Sequence, residues 1–226
     1  RQKGGGDAQA QCRASRSLTM AQNGKLTAFA LNCSLKPTSD DEKSSTDKLI
    51  GDLFSALEPH GVSGSFERAA DYDIKPGVLS DEGEGDQWPE LRAKVLAADI
   101  FVLGTPIWLG QPSSVARRVL ERMDAFLGET DDKKRTPSFG KVAVVAVVGN
   151  EDGAHHCHAE IFQALNDVGF TLAAGAGTYW VGEAMGSTDY KDLDKPYDKT
   201  VQATRMLASN AAHLAGLLKA AAYTGV

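Results

Sequence analysis

The chain has 226 residues, with 24 Lys and Arg against 30 Asp and Glu, a net charge of −6, and 42% hydrophobic residues. That acidic balance argues against nucleic acid as the main partner, because neutralising phosphates needs a basic face. The longest apolar run, Val142–Val148, is too short to cross a bilayer, and three scattered cysteines (Cys12, Cys33, Cys157) make no disulfide framework and suit a reducing cytoplasm.

Arg1–Gly24 contains three consecutive glycines, scattered Gln and Ser, and almost no large apolar side chain. Such a stretch cannot bury enough surface to offset the entropy of ordering it, so it is expected to be a disordered extension, with Met20 as the natural start. It has no apolar run of signal-peptide length. Residues 25–226 are left as one domain. Within it, Leu26–Leu31 reads as a short strand that stops at Asn32-Cys33-Ser34. Thr46–Leu57 carries Leu49, Ile50, Leu53, Phe54 and Leu57 on one helical stripe. Val62–Arg68 reads as a second strand, and Asp71–Asp86 as a polar loop with an acidic strip at Asp81, Glu82, Glu84 and Asp86. Trp88–Ala97 reads as a helix and Asp99–Leu103 as a buried strand. Pro112-Ser113 opens a helix with Val115, Val119, Leu120, Met123 and Phe126 on one face, closed by Gly128.

Lys141–Val148 lacks polar alternation, which fits a strand covered on both faces of a parallel sheet. Ala154–Val168 follows as a helix and Phe170–Ala174 as a fifth strand. Thr178–Tyr197 reads as a long polar insertion before a last helix marked by Leu207, Ala211, Leu214 and Leu218. Five strands with intervening helices predict an α/β fold with a doubly wound parallel sheet. Ligands of such sheets sit beyond the carboxyl ends of the strands, at the topological switch point.

Three loops there carry chemistry. After the first strand, Ser34 and Lys36 lead through an acidic stretch to Ser44, Ser45 and Thr46 at a helix start, where free N–H groups favour an anion. Ser45 or Thr46 can equally cap that helix. After the third strand come Gly104, Thr105, Pro106, Ile107, Trp108, Leu109 and Gly110. Here Trp108 either meets a planar ring or packs beneath a surface loop. After the fourth, Gly149, Asn150, Glu151, Asp152 and Gly153 precede His155-His156-Cys157-His158. The glycines permit close backbone approach, and the histidines, without a second ligand cluster nearby, are read as a helix start and not a metal site. Gly175-Ala176-Gly177 lacks the third glycine of a dinucleotide fingerprint.

Together these loops resemble the three FMN-contacting loops of flavodoxin-like NAD(P)H-dependent FMN and quinone reductases. The segment Ser113–Asp124, with Arg117, Arg118 and Asp124, is similar to the one that follows Thr-Pro-x-Trp/Tyr in that family. The resemblance covers about Lys25 to Ala222. It departs at Cys33 and Leu35, and in a longer acidic insert, Ser39–Lys43. It implies a flavodoxin-like five-stranded sheet flanked by helices, and an FMN phosphate surrounded by Ser34, Lys36, Ser44, Ser45 and Thr46. It further implies an isoalloxazine bordered by Pro106–Gly110 and a pyrimidine edge met by Gly149–Gly153. Hydride from NADH or NADPH would pass through FMN to a small acceptor such as a quinone, flavin or azo compound. No protein nucleophile or paired carboxylate is required. Relatives imply a cytoplasmic homodimer or homotetramer. The competing readings are a flavodoxin-type electron carrier docking on redox proteins and a cofactor-free regulatory domain. The mild net charge and the long insertion favour the enzyme over the carrier.

Overall fold

The computed structural model describes residues 25–183 and 186–226. The expected disordered extension, Arg1–Gly24, lies outside them. In chain order the elements are β1 (Leu26–Asn32), α1 (Ser45–Leu57), β2 (Val62–Arg68), α2 (Trp88–Ala97), β3 (Ile100–Trp108), β4 (Gln111–Pro112), α3 (Ser114–Met123), β5 (Val142–Gly149), α4 (Ala154–Asp167), β6 (Thr171–Val181) and α5 (Asp198–Ala220). Five strands pair in parallel in the order β2-β1-β3-β5-β6, and β4 makes a short antiparallel pair with the end of β3. This is the doubly wound, flavodoxin-like order, with its switch point between β1 and β3.

Alternation along the strands assigns the two faces. Phe29 and Leu31, Phe101 and Leu103, and Ala143, Val145 and Val147 join one buried cluster with Trp88, Leu91, Val119, Met123, Phe126 and Ile161 of α2, the α3 region and α4. Ala28 and Ala30, Ile100 and Val102, and Val142, Val144 and Ala146 join the other with Leu49, Leu53, Leu207, Ala211 and Leu218 of α1 and α5. Burying each large aliphatic or aromatic side chain contributes about 1.5–3 kcal/mol. The central strand β5 is buried along Val142–Val148, as its unbroken apolar run predicts, whereas the edge strand β2 buries only Val62. Among the described residues no helix is long and apolar enough to cross a membrane.

Four expectations need correction. The third strand starts one residue later than Asp99, which instead accepts hydrogen bonds from Thr27 and Lys219 at the strand entrance. It then runs on through Gly104-Thr105-Pro106-Ile107 to Trp108, in register with β5 as far as Pro106↔Val148. What reads as a loop is therefore strand plus a tight turn: Leu109 (φ 52°) and Gly110 (φ 74°) join β3 to β4. Two successive positive φ values match the twist of a two-residue hairpin. The last strand also continues past Ala174, because the register jumps from Ala143↔Leu172 to Val145↔Gly177 and the intervening residues bulge out. Thr178–Val181, the start of the supposed insertion, is thus strand. The predicted stripe of the α3 region holds: Val119, Met123 and Phe126 are buried and Val115 and Leu120 pack half-buried against the same cluster, with Ala116 and Arg122 buried beside them. Finally, Asp86 is not part of a solvated acidic strip: its side chain and that of Arg122 are wholly buried as an ion pair.

Candidate functional site

The carboxyl ends of β1, β3, β5 and β6 and the start of α1 surround a cleft of about 340 Å³. Its position over β3 depends on Gly104. A Cβ there would stand 2.7 Å from Ile50 Cδ1 and 2.9 Å from Thr46 Cγ2, so glycine lets the start of α1 seat directly on the sheet.

The loop after β1 is shaped by a polar network beneath it. Asn32 donates from Nδ2 to Ser44 Oγ (3.1 Å) and Asp47 Oδ1 (2.6 Å), while its Oδ1 accepts the Ser34 amide at 2.7 Å. Arg68, at the end of β2, pairs with Asp47 and donates to the carbonyls of Pro37 (2.9 Å) and Glu42 (3.0 Å), strapping the acidic stretch down. Ser44 is the N-cap of α1: its Oγ accepts the Asp47 amide at 3.3 Å. Neither Ser45 nor Thr46 is needed for capping, contrary to the alternative that the sequence leaves open. The amides of Ser45 and Thr46 precede the helical ladder, and both residues line the cleft.

Ser34, Lys36, Lys43, Ser44, Ser45, Thr46 and Lys191 gather at this end of the cleft wall. Lys36 forms an exposed ion pair with Glu42, and Lys36 in turn holds the Glu42 carboxyl below its ordinary range. The Ser34 side chain is buried, and its hydroxyl has no hydrogen-bond partner among the described residues. Cations, hydroxyls and a helix N-terminus together make an anion-accepting end.

The opposite end is flatter and more apolar. Pro106, Ile107, Trp108, Val148 and Gly149 line it. Trp108 is 52% exposed, so it does not pack beneath a loop but stands at the rim. Glu151 Oε1 accepts the Leu109 amide at 2.8 Å, tying the β3–β4 turn to the loop after β5. Backbone contact reinforces that tie: a Cβ on Gly153 (φ 130°) would sit 2.7 Å from Gly110 Cα. Gly149, in contrast, does not adopt a positive φ; glycine is needed there because a Cβ would stand 2.9 Å from Ile107 Cβ.

Of the residues that the sequence singles out, Ser34, Lys36, Ser44, Ser45, Thr46, Pro106, Ile107, Trp108, Gly149, Asn150 and Glu151 line the cleft. Thr105, Leu109, Gly110, Asp152 and Gly153 do not. Thr105 is buried, its Oγ1 accepting the Ser113 amide at 3.1 Å; Leu109 is 90% exposed; Gly110 and Gly153 supply the backbone contact; Asp152 accepts the amide of Gly153. Sequence reading overlooks Leu35, Lys43, Val148, Trp180, Asp189 and Lys191. Lys43, beside the α1 start, had a local signal. Trp180, Asp189 and Lys191 did not: only the longer β6 and the turn that follows it carry them to the first loop.

The histidine segment opens α4 away from the cleft lining. His156 pairs with Glu160 at 2.8 Å, and burial pushes the Cys157 thiol up to about 11. His158 is buried, stacked on Phe162 and set against Tyr179 and the bare backbone of Gly177. Burial pushes its imidazole down to about 4. An unfolded histidine protonates near pH 6.5, so as pH falls below that value the unfolded chain gains a proton that the folded one refuses until about 4. Stability is therefore expected to drop by about 2 kcal/mol from this group between pH 7 and pH 5. Urea midpoints of the native protein and His158→Gln at both pH values check this; an equal drop in the two would refute it.

A family model described as NADPH-dependent FMN reductase matches residues 26–186. A relative from Mycobacterium bovis, named divalent metal cation transporter MntH, is 36% identical over 204 residues; the match takes in 87% of this chain and 30% of the transporter, so the chain spans under a third of that relative's length. The 8-demethyl-8-aminoriboflavin-5'-phosphate synthase of Streptomyces davaonensis is 32% identical over 209 residues, 88% of this chain and 80% of the synthase. Among solved structures, RosB with bound 8-demethyl-8-formylriboflavin-5'-phosphate superposes with a TM-score of 0.79 at 31% identity, covering 88% of this chain and 82% of that one.

Proposed function

Because this chain belongs to the NADPH-dependent FMN reductase family, we propose that it passes electrons from NADH or NADPH through FMN to a small acceptor such as a quinone, a flavin or an azo compound. One observation carries the reading: an anion-accepting end and an apolar slot open at Trp108 belong to one cleft. Riboflavin 5'-phosphate has the same division, a dianionic end and a flat ring. The cleft also contains a buried hydroxyl with no partner among the described residues, Ser34 Oγ, an arrangement that a phosphate oxygen would satisfy. The solved relative RosB holds a riboflavin 5'-phosphate derivative.

Bound FMN supplies hydride acceptance and donation. The chain's own residues bind and orient. Ser34, Lys36, Lys43, Ser44, Ser45, Thr46 and Lys191 would hold the phosphate, with hydroxyl and ammonium donors to its oxygens. Pro106, Ile107 and Trp108 would border the ring on one side, and Gly149, Asn150 and Glu151 on the other. The Glu151–Leu109 bond keeps these two walls together. The half-exposed Trp108 leaves room at the rim for a nicotinamide and then for an acceptor. Thr105, Leu109, Gly110, Asp152 and Gly153 serve the site by fixing the backbone of those walls. The same reading carries a cytoplasmic homodimer or homotetramer, in which a neighbour covers the exposed Leu35 and Leu109.

The likeness to an aminoriboflavin-phosphate synthase supports a second reading, in which FMN is the substrate and leaves chemically altered. One experiment separates them. Purified protein loaded with FMN is mixed with NADPH and then with a quinone. The expected result is rapid bleaching, recovery of colour on adding quinone, parallel initial-rate lines at several quinone concentrations, and a flavin of unchanged mass. Flavin that stays oxidised over minutes with NADPH yet is reduced by dithionite would replace the reductase with a carrier. A changed flavin mass would establish the second reading.

A further inference from the structure

The wall that brings Asp189 and Lys191 to the cleft is far from α1 in sequence, and α1 holds it through Lys48. The Lys48 ammonium donates to the carbonyl oxygens of Leu193 (2.7 Å) and Tyr190 (3.1 Å) and lies 3.5 Å from that of Lys191. Its Nζ also stands 5.3 Å from the centroid of the Tyr190 ring. Three N–H groups thus meet three carbonyls of one short turn, a match that suits an ammonium and not a planar guanidinium. Two neighbours on α1 complete the hold. Ser45 Oγ accepts the Lys191 amide at 3.2 Å, and Asp52 Oδ2 accepts the hydroxyl of the buried Tyr190 at 2.6 Å. Ser45, Lys48 and Asp52 follow one another at helical spacings of three and four, so all face the same turn.

The hold decides where two opposite charges stand. Asp189 Oδ1 accepts Asn150 Nδ2 at 2.7 Å, bridging to the loop after β5, and its Oδ2 pairs with Lys191 Nζ at 3.3 Å. We infer that Lys48 is a positioning residue: by clasping the turn Tyr190–Leu193 it sets the charge pattern at the anion end, and through it the preference of the cleft for a 5'-phosphorylated flavin over the unphosphorylated one. The inference rests on the flavin reading of the cleft. Lys48 is absent from the cleft lining, so its influence passes through the turn alone. Without the ammonium, Tyr190 and Leu193 lose a charged donor, the turn loosens, and Lys191 no longer holds its place beside Ser45.

The test uses the full chain and Lys48→Met, with Lys219→Met as control, since Lys219 pairs with Asp99 at the opposite end of the strands. FMN and riboflavin are each titrated by fluorescence quenching, and amide hydrogen exchange is followed for residues 190–193 without flavin. Lys48→Met is expected to raise the FMN dissociation constant about tenfold while riboflavin changes by less than about twofold, and to speed exchange at 190–193 about tenfold. The control should move neither. Equal weakening for both flavins, or exchange that stays at the native rate, would overturn the inference. Should the native protein bind neither flavin, the flavin reading fails, and the exchange measurement still decides whether Lys48 holds the turn. If Lys48→Met does not fold, Lys48→Gln, which keeps two N–H donors and loses the charge, takes its place.

Discussion

Arg122→Met is expected to destabilise the protein by about 3–5 kcal/mol, the usual loss when one partner of a buried ion pair is removed. The guanidinium is wholly buried on α3. It bonds Asp86 through both carboxylate oxygens, at 2.9 and 2.7 Å, and reaches the carbonyls of Lys75 and Leu79 at 2.8–3.0 Å. One side chain therefore supports the long loop between β2 and α2, with the Trp88 ring beneath it at 5.9 Å. Arg122 holds the Asp86 carboxyl well below the ordinary carboxylate range. This stabilisation is present above the unfolded pKa and fades only as pH falls through the strongly lowered folded one. Arg122→Met/Asp86→Asn should cost about as much as the single change, because the loop is released once in either case. Urea denaturation of the native protein and the two variants measures it. A loss below about 1 kcal/mol for Arg122→Met would show that the loop is held by something else.

Ser45→Ala/Thr46→Val is expected to weaken FMN binding at least a hundredfold while leaving riboflavin nearly unchanged. Each hydroxyl lost from a charged group costs about 1.5–3 kcal/mol, so the pair accounts for about 3 kcal/mol or more. Valine at position 46 retains the methyl that fits beneath Gly104, and Ser44 continues to cap α1, so the helix start keeps its support. Fluorescence titration with the two flavins is the measurement. Equal weakening of both would mean that these hydroxyls serve the fold, Ser45 through the Lys191 amide that it accepts, and meet no phosphate.

The parts of the fold that the sequence reveals are those whose burial is continuous. Val62–Arg68 and Trp88–Ala97 have the observed boundaries, and β5 is a run of buried Val and Ala. The misread parts contain Gly and Pro for reasons other than turning the chain. Gly104 is small so that Thr46 and Ile50 can approach, and Gly177 so that the His158 ring can. Both sit inside strands. The bulge between Leu172 and Gly177 cannot be read locally, since it exists only against the register of β5. In the site, residues next to the three strand ends were legible because chain order places them there. Trp180 was not, because it lies on the part of β6 beyond the bulge, and Asp189 and Lys191 were not, because Asn150 and the α1 side chains that hold their turn are 39 to 146 residues earlier. Arg122 was hidden for a related reason: a cation on a helix looks solvated until its carboxylate, 36 residues away, is seen beside it.

The contact between Gly110 and Gly153 bears on how such a site can diversify. Neither backbone leaves room for a Cβ on Gly153, so the hairpin tip and the loop before α4 behave as one rigid lip. A side chain on Gly153 would pry the pair apart, whereas one on Gly110 would find space and meet only the strain of a positive φ, so the lip resists change from the α4 side. The turn at Asp189–Leu193 is different, because exchangeable side chains hold it. New acceptors would thus be accommodated by remodelling that turn and its anchors on α1, while the glycine lip passes unchanged from one specificity to the next.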